Sequence, residues 1–131
     1  MNLSWTINIS FPSFGGHTHY PTWSLVEEKI KTVLLTQGTV DLETEVGESK
    51  YRRQLQVQAD NGNFLLMLGV ETENDWVVRT YDHPEVGLSE ETIDILGDVW
   101  LRRKICLDKE VVTNIFKEFF TTGDVSEKYL N

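Results

Sequence analysis

Residues 52–70 read RRQLQVQADNGNFLLMLGV, and the fold turns on how this stretch pairs with itself. Asn61-Gly62 is the dipeptide favoured in two-residue type I′ hairpins, where both central positions need positive φ. With those residues as the turn, Ala59 faces Phe64, Val57 faces Leu66 and Leu55 faces Leu68. Directly opposed residues share a sheet face, so these six side chains make one apolar surface. The other face carries Gln54, Gln56 and Gln58 on one strand and Leu65 and Met67 on its neighbour, and is only partly apolar. A slip of one residue would turn the whole apolar set outward, so the register is strongly specified.

Upstream, residues 3–11 (LSWTINISF) alternate Leu3, Trp5, Ile7, Ile9 and Phe11 with Ser and Asn or Thr, the period of a half-buried strand. The segment 12–22 (PSFGGHTHYPT), with two prolines and a Gly-Gly pair, reads as a loop. Residues 23–38 (WSLVEEKIKTVLLTQG) read as a helix over about 24–37. Ser24 and Glu27 have capping-box spacing, Val26, Ile30, Val33 and Leu34 fall on one face, and Gly38 suits a helix stop.

Downstream, DWVVRTY (75–81) reads as a strand and TIDILGDVWLRRKICL (92–107) as a hairpin turning at Gly97-Asp98. In that hairpin Ile93 and Ile95 are buried positions and Asp94 faces away. Val99, Leu101, Ile105 and Leu107 share one side, with Trp100, Arg102, Lys104 and Cys106 on the other. A second helix over about 109–122 is capped by Asp108, stopped by Gly123 and striped with Val112, Ile115, Phe116 and Phe119. The expectation is a single α+β domain spanning residues 1–131. Its antiparallel sheet has about five to six strands, with one face packed by two helices.

Composition narrows the function. A chain of 131 residues with 40% hydrophobic and 11% aromatic content is long enough for one sizeable core. A net charge of −9 argues against direct binding to nucleic acid or to an anionic membrane, both of which call for a basic patch. The opening MNLSWTINIS lacks a basic n-region, and no apolar run reaches the roughly 18 residues of a membrane span, which suggests a cytoplasmic protein. One cysteine, Cys106, excludes an intramolecular disulfide and fits a reducing compartment.

Three groups of residues invite a chemical reading. His17 and His19 would share a face on a strand and, with His83 or Asp82, could hold a divalent metal; two loop histidines without fixed ligand spacing is the reading favoured here. Cys106 precedes a helix but has no histidine near it in sequence, so it reads as a small strand residue rather than a nucleophile. No cofactor motif is present: there is no GxSxG, P-loop or GxGxxG. The third group is the acidic segment from Glu71 to Asp98. It holds nine carboxylates (Glu71, Glu73, Asp75, Asp82, Glu85, Glu90, Glu91, Asp94 and Asp98) against one base, Arg79. The run that follows is basic, with Arg102, Arg103, Lys104 and Lys109. Charges placed for solubility tend to be interspersed, whereas an acidic lobe containing Trp76 and Tyr81 suits a surface that steers and anchors a basic protein. The basic run could equally pair back onto the acids within the fold.

The C-terminal LDKEVVTNIFKEFFTTGDVS (107–126) and the hairpin LQVQADNGNFLLMLGVETENDWVVRTYD (55–82), preceded by an amphipathic helix, resemble Imm-type immunity proteins of bacterial polymorphic-toxin and contact-dependent growth inhibition systems. The resemblance runs from about Thr22 onward, with FFTTG its most specific piece; members often place a Trp after this glycine, where this chain has Tyr129. It implies a cytosolic α+β protein that is not itself an enzyme. Such a protein would bind the C-terminal toxin domain of a secreted effector, of nuclease or deaminase type, and cover its active site. A small-ligand or regulatory module is the alternative, motivated by Leu65, Met67 and Trp100 on the less apolar faces.

Overall fold

The computed structural model describes residues 1–8, 14–45, 51–84 and 90–131. Along them run β1 (Asn2–Ile7), β2 (Phe14–His19), α1 (Trp23–Leu35), β3 (Gln37–Glu43), β4 (Arg53–Asp60), β5 (Asn63–Glu71), β6 (Trp76–Thr80), β7 (Thr92–Ile95), β8 (Asp98–Leu101), β9 (Ile105–Cys106) and α2 (Lys109–Thr122). The large sheet is antiparallel in the order β2-β1-β3-β4-β5-β6, with β9 added to β5; β7 and β8 form a separate two-stranded sheet.

The hairpin register is the one expected: Ala59 pairs with Phe64, Val57 with Leu66 and Leu55 with Leu68, and all six are buried. Asn61 and Gly62 take φ of 51° and 81°, as a type I′ turn requires. Helix stripes follow the sequence too. Val26, Ile30, Val33 and Leu34 of α1 and Val112, Ile115, Phe116 and Phe119 of α2 pack on this face as one core with Leu3, Val40 and Leu42. Asp108 caps α2 through the Glu110 N–H at 2.9 Å, and Gly123 ends it with φ 77°.

Four expectations need correction. Helix α1 is capped by Thr22, whose hydroxyl accepts from the Leu25 N–H at 3.2 Å, not by Ser24. Gly38 stops nothing; it lies in β3 opposite Ile7, where a Cβ would fall 2.0 Å from the Thr6 carbonyl oxygen. The segment read as a loop contains β2, paired along β1, and its glycine serves packing: a Cβ on Gly16 would lie 2.2 Å from the Trp5 ring. Strand β1 ends at Ile7, and Ile9 and Phe11 lie outside the described residues.

The last hairpin is the fourth. It turns at Leu96-Gly97, both at positive φ, so Asp98 opens β8 opposite Ile95. The long second arm is broken by a 3-10 turn at Arg102–Lys104, after which Ile105 and Cys106 enter the large sheet beside Leu65 and Phe64. Val99 and Leu107 are therefore exposed, at 66% and 52%, while Trp100 faces inward. The hairpin folds over the non-helical side of the sheet. There Leu65, Ile95 and Ile105 are buried with Met67, Ile93, Leu96 and Trp100 around them. So the apolar residues on the glutamine side of β5 are covered by the chain itself.

The two glycines separate two effects. Gly38→Ala is expected to destabilise the protein by about 2 kcal/mol or more, since backbone on the neighbouring strand must move. Gly62→Ala meets nothing within 4 Å and should lose only about 1–2 kcal/mol, for its left-handed φ. Urea unfolding of both variants gives the comparison.

Candidate functional site

The acidic segment does not remain one surface after folding. Glu71 is drawn to Arg52, accepting from its backbone N–H at 3.0 Å and lying 3.6 Å from its Nε. Asp75 caps the start of β6 through the Trp76 N–H at 2.8 Å. Asp82 meets Lys104 Nζ at 2.6 Å and accepts from Asn131 Nδ2 at 3.2 Å. The Lys104 ammonium holds its carboxyl below the ordinary range, with the Asn131 amide adding to the effect. Part of the basic run thus pairs back onto the acids. Tyr81 is partly buried against the main core, with its ring 6.5 Å from that of His83. Glu85 lies outside the described residues.

The rest stays on the surface. Glu73, Glu90, Glu91, Asp94 and Asp98 are exposed, and Trp76 is 44% exposed. The turn of β7 into β8 decides the outer set. Ile93, Ile95 and Trp100 point onto the sheet, and Asp94 and Val99, paired across the hairpin, point away from it. Glu90, Asp94 and Asp98 pair with no base among the described residues.

The other candidates part company. His17 and His19 lie on β2, not in a loop, with ring centroids 4.8 Å apart. Ser4 Oγ is 3.0 Å from His17 Nδ1, and His19 Nδ1 is 3.7 Å from Glu45. The proposed third ligands, Asp82 and His83, follow β6 at the opposite edge of the sheet. Among the described residues no three His, Cys, Asp or Glu are grouped to hold a metal. Cys106 is buried in β9, and burial pushes its thiol above the ordinary range, away from thiolate chemistry.

Two arrangements went unread in the sequence. Arg79, the one base of the acidic segment, is only 19% exposed in its side chain. Its Nη2 donates to the carbonyls of Val125 and Leu130, each at 2.7 Å, and its Nη1 lies 3.3 Å from Asp124. Thr80 and Asn131 exchange backbone hydrogen bonds at 3.0 and 2.9 Å, so the C-terminal residues lie along the edge of β6. On the non-helical face, Gln54 and Gln56 both donate to Asp41 Oδ1 at 2.9 Å, and Gln58 donates to Gln56 Oε1 at 3.1 Å. Burial of Asp41 outweighs these bonds and raises its carboxyl above the ordinary 3.8. The alternating glutamines carried a signal; Arg79 carried none beyond its isolation among acids.

The order and packing define a two-helix α+β domain whose second sheet face is covered by its own hairpin. Residues 5–129 match the model of a family of unknown function (DUF6911), and the chain belongs to that family. No curated protein matches its sequence. The fold is similar to that in the crystal structure of a hypothetical protein from Neisseria gonorrhoeae. The TM-score is 0.70 at 16% identity, over 95% of this chain and 90% of the other. No helix among the described residues is long and apolar enough to cross a membrane.

Three predictions follow the charges. Arg79→Met should destabilise the protein by about 3 kcal/mol, since buried carbonyls lose a charged donor, and hydrogen exchange should quicken at Thr80 and Asn131. Asp41, held above 3.8, gives the folded chain the tighter grip on that proton, so its contribution to stability falls as pH rises through the window between 3.8 and the raised value. Urea unfolding across acid pH should show Asp41→Asn gaining on the parent as pH rises there. Asp82→Asn should do the opposite: its stabilising effect is present above 3.8 and disappears as pH falls through the lowered value.

Proposed function

We propose that this protein is an immunity-type inhibitor that binds the basic C-terminal toxin domain of a secreted effector and covers its active site. One observation carries the reading. The β7–β8 hairpin turns its apolar side onto the sheet and presents Asp94 beside exposed Val99 on its outer side, with Glu90, Glu91 and Asp98 around it. Glu90, Asp94 and Asp98 thus stay exposed with no base paired to them among the described residues, while Glu71 and Asp82 are consumed by Arg52 and Lys104. Carboxylates arranged this way accelerate encounter with a cationic partner, and the exposed valine contributes short-range burial. Nucleases carry basic active-site surfaces because they bind phosphates, which makes them a fitting target class. The protein supplies occlusion rather than catalysis, acts in the cytoplasm, and has no nucleic acid or membrane as its own ligand.

A second reading has one observation in its favour. Between α1 and α2 lies a groove of about 470 Å³ lined by Lys31, Leu34, Leu35, Lys109, Glu110, Thr113 and Asn114, with Leu35 71% exposed. A small-molecule module would use it, and native mass spectrometry of the purified protein would reveal a retained ligand.

Co-expression with the toxin domain encoded beside it decides the first reading: growth should be rescued, and continued killing would end the idea. With such a partner in hand, reversing Glu90, Glu91 and Asp94 to lysine should slow association by about tenfold at low salt and flatten its salt dependence. Stopped-flow rates that do not change across a salt series would exclude this surface.

A further inference from the structure

On the non-helical face, beside the edge strand, lies a shallow pocket of about 130 Å³ lined by Gln54, Gln56, Met67, Gly69, Trp76 and Val78. One wall is the Trp76 indole. It lies so closely on Gly69 that a Cβ there would come within 2.1 Å of ring carbon Cζ2. The ring is thus held from one side by backbone, and the residue is still 44% exposed.

The polar atoms of this pocket are sorted. Each glutamine Nε2 gives one N–H to Asp41 Oδ1 and keeps a second, and the carbonyl oxygens stand beside them as acceptors, Gln56 Oε1 already taking one bond from Gln58. No lining residue is cationic. Glu71, already paired with Arg52, stands directly across from Trp76 in the register. A π face with carbonyl oxygens beside it and no cation in the lining suits a cationic group. A cation that donates can use both the ring face and the carbonyl oxygens. A planar guanidinium stacks on an indole and sends its N–H groups outward in the ring plane, which a compact ammonium does not.

We propose that this pocket receives the guanidinium of an arginine from a partner protein, stacked on Trp76 and hydrogen-bonded to the carbonyls of Gln54 and Gln56. The pocket and the β7–β8 hairpin lie on the same side of the sheet, joined through Met67, which lines the one and packs against the other. The proposal deepens the inhibitor reading by naming the side chain that anchors the basic partner, and rests on it only for where the arginine comes from.

The test is an NMR titration of the 15N-labelled full chain with N-acetyl-arginine amide, its neutral citrulline counterpart and N-acetyl-lysine amide. Saturable shifts are expected at the Trp76 indole N–H and the Gly69 amide. Citrulline should bind at least about fivefold more weakly, as loss of roughly 1 kcal/mol of cation–π attraction implies, and lysine should be weaker than arginine. Trp76→Leu, read at the Gly69 amide, should abolish the shift. Val78→Lys, which places a charge at the pocket rim on an exposed strand position, should do the same if the first variant does not fold. Absence of shifts at these two probes, equal binding of citrulline or lysine, or shifts that persist in folded variants overturn the proposal. No toxin is needed for the titration, so its failure leaves the co-expression result untouched, and the reverse holds as well.

Discussion

Strand β5 carries apolar side chains on both faces, and each face has to be covered. Phe64, Leu66 and Leu68 meet the two helices, while Leu65 is buried by Ile95 and Ile105 from the far end of the chain. Burying a leucine is worth roughly 2 kcal/mol, and leaving Leu65 and Met67 in water would expose a contiguous apolar patch. The β7–β8 hairpin closes that side, and two-residue β9 then carries the chain through the sheet plane. Ile105 faces the hairpin and Cys106 the helices, so consecutive residues belong to different cores. The position of the acidic hairpin is in this sense a consequence of one strand's composition.

Folding also divides the carboxylates by what surrounds them. Those near the ends of the large sheet acquire local partners: Glu71 and Glu43 share Arg52, Asp82 takes Lys104, and Asp124 takes Arg79. The more exposed pairs of Arg52 and Lys104 add little stability individually, whereas the largely buried Arg79 also holds the C-terminal carbonyls in place. Among the described residues Glu90, Asp94 and Asp98 have no such partner. That contrast, rather than the total charge, is what favours a partner-binding role.

The hairpin at 52–70, both helix stripes and the α+β class were legible because each is a periodic pattern set by local geometry. Less was legible where one residue type serves two purposes. Gly38 looks like a helix stop and is a close-packing residue, which hid the immediate start of β3. Gly15-Gly16 looks like a turn and makes room for Trp5. In the last hairpin, alternation continued through Arg102–Lys104 on paper, but the 3-10 turn there shifts the phase. The candidate site was legible as a charge density only. Which acids would be neutralised depended on Arg52 and Lys104 arriving from elsewhere in the fold, and the Trp76 pocket depended on Gly69 of a neighbouring strand.

Edge strand β6 shows how the molecule treats its open hydrogen-bonding groups. The exchange between Thr80 and Asn131 puts Thr80's main chain outward, and by strand alternation those of Val78 and Trp76 point the same way. The Trp76 N–H is already claimed by Asp75. Among the described residues Val78 alone keeps both its outward amide and carbonyl open, a short run for templating an added strand. Three exposed apolar residues, Trp76, Val77 and Val78, sit on a border that resists edge-to-edge polymerisation. Such an edge favours approach over the face of the sheet and lowers the hazard of apolar side chains at its margin.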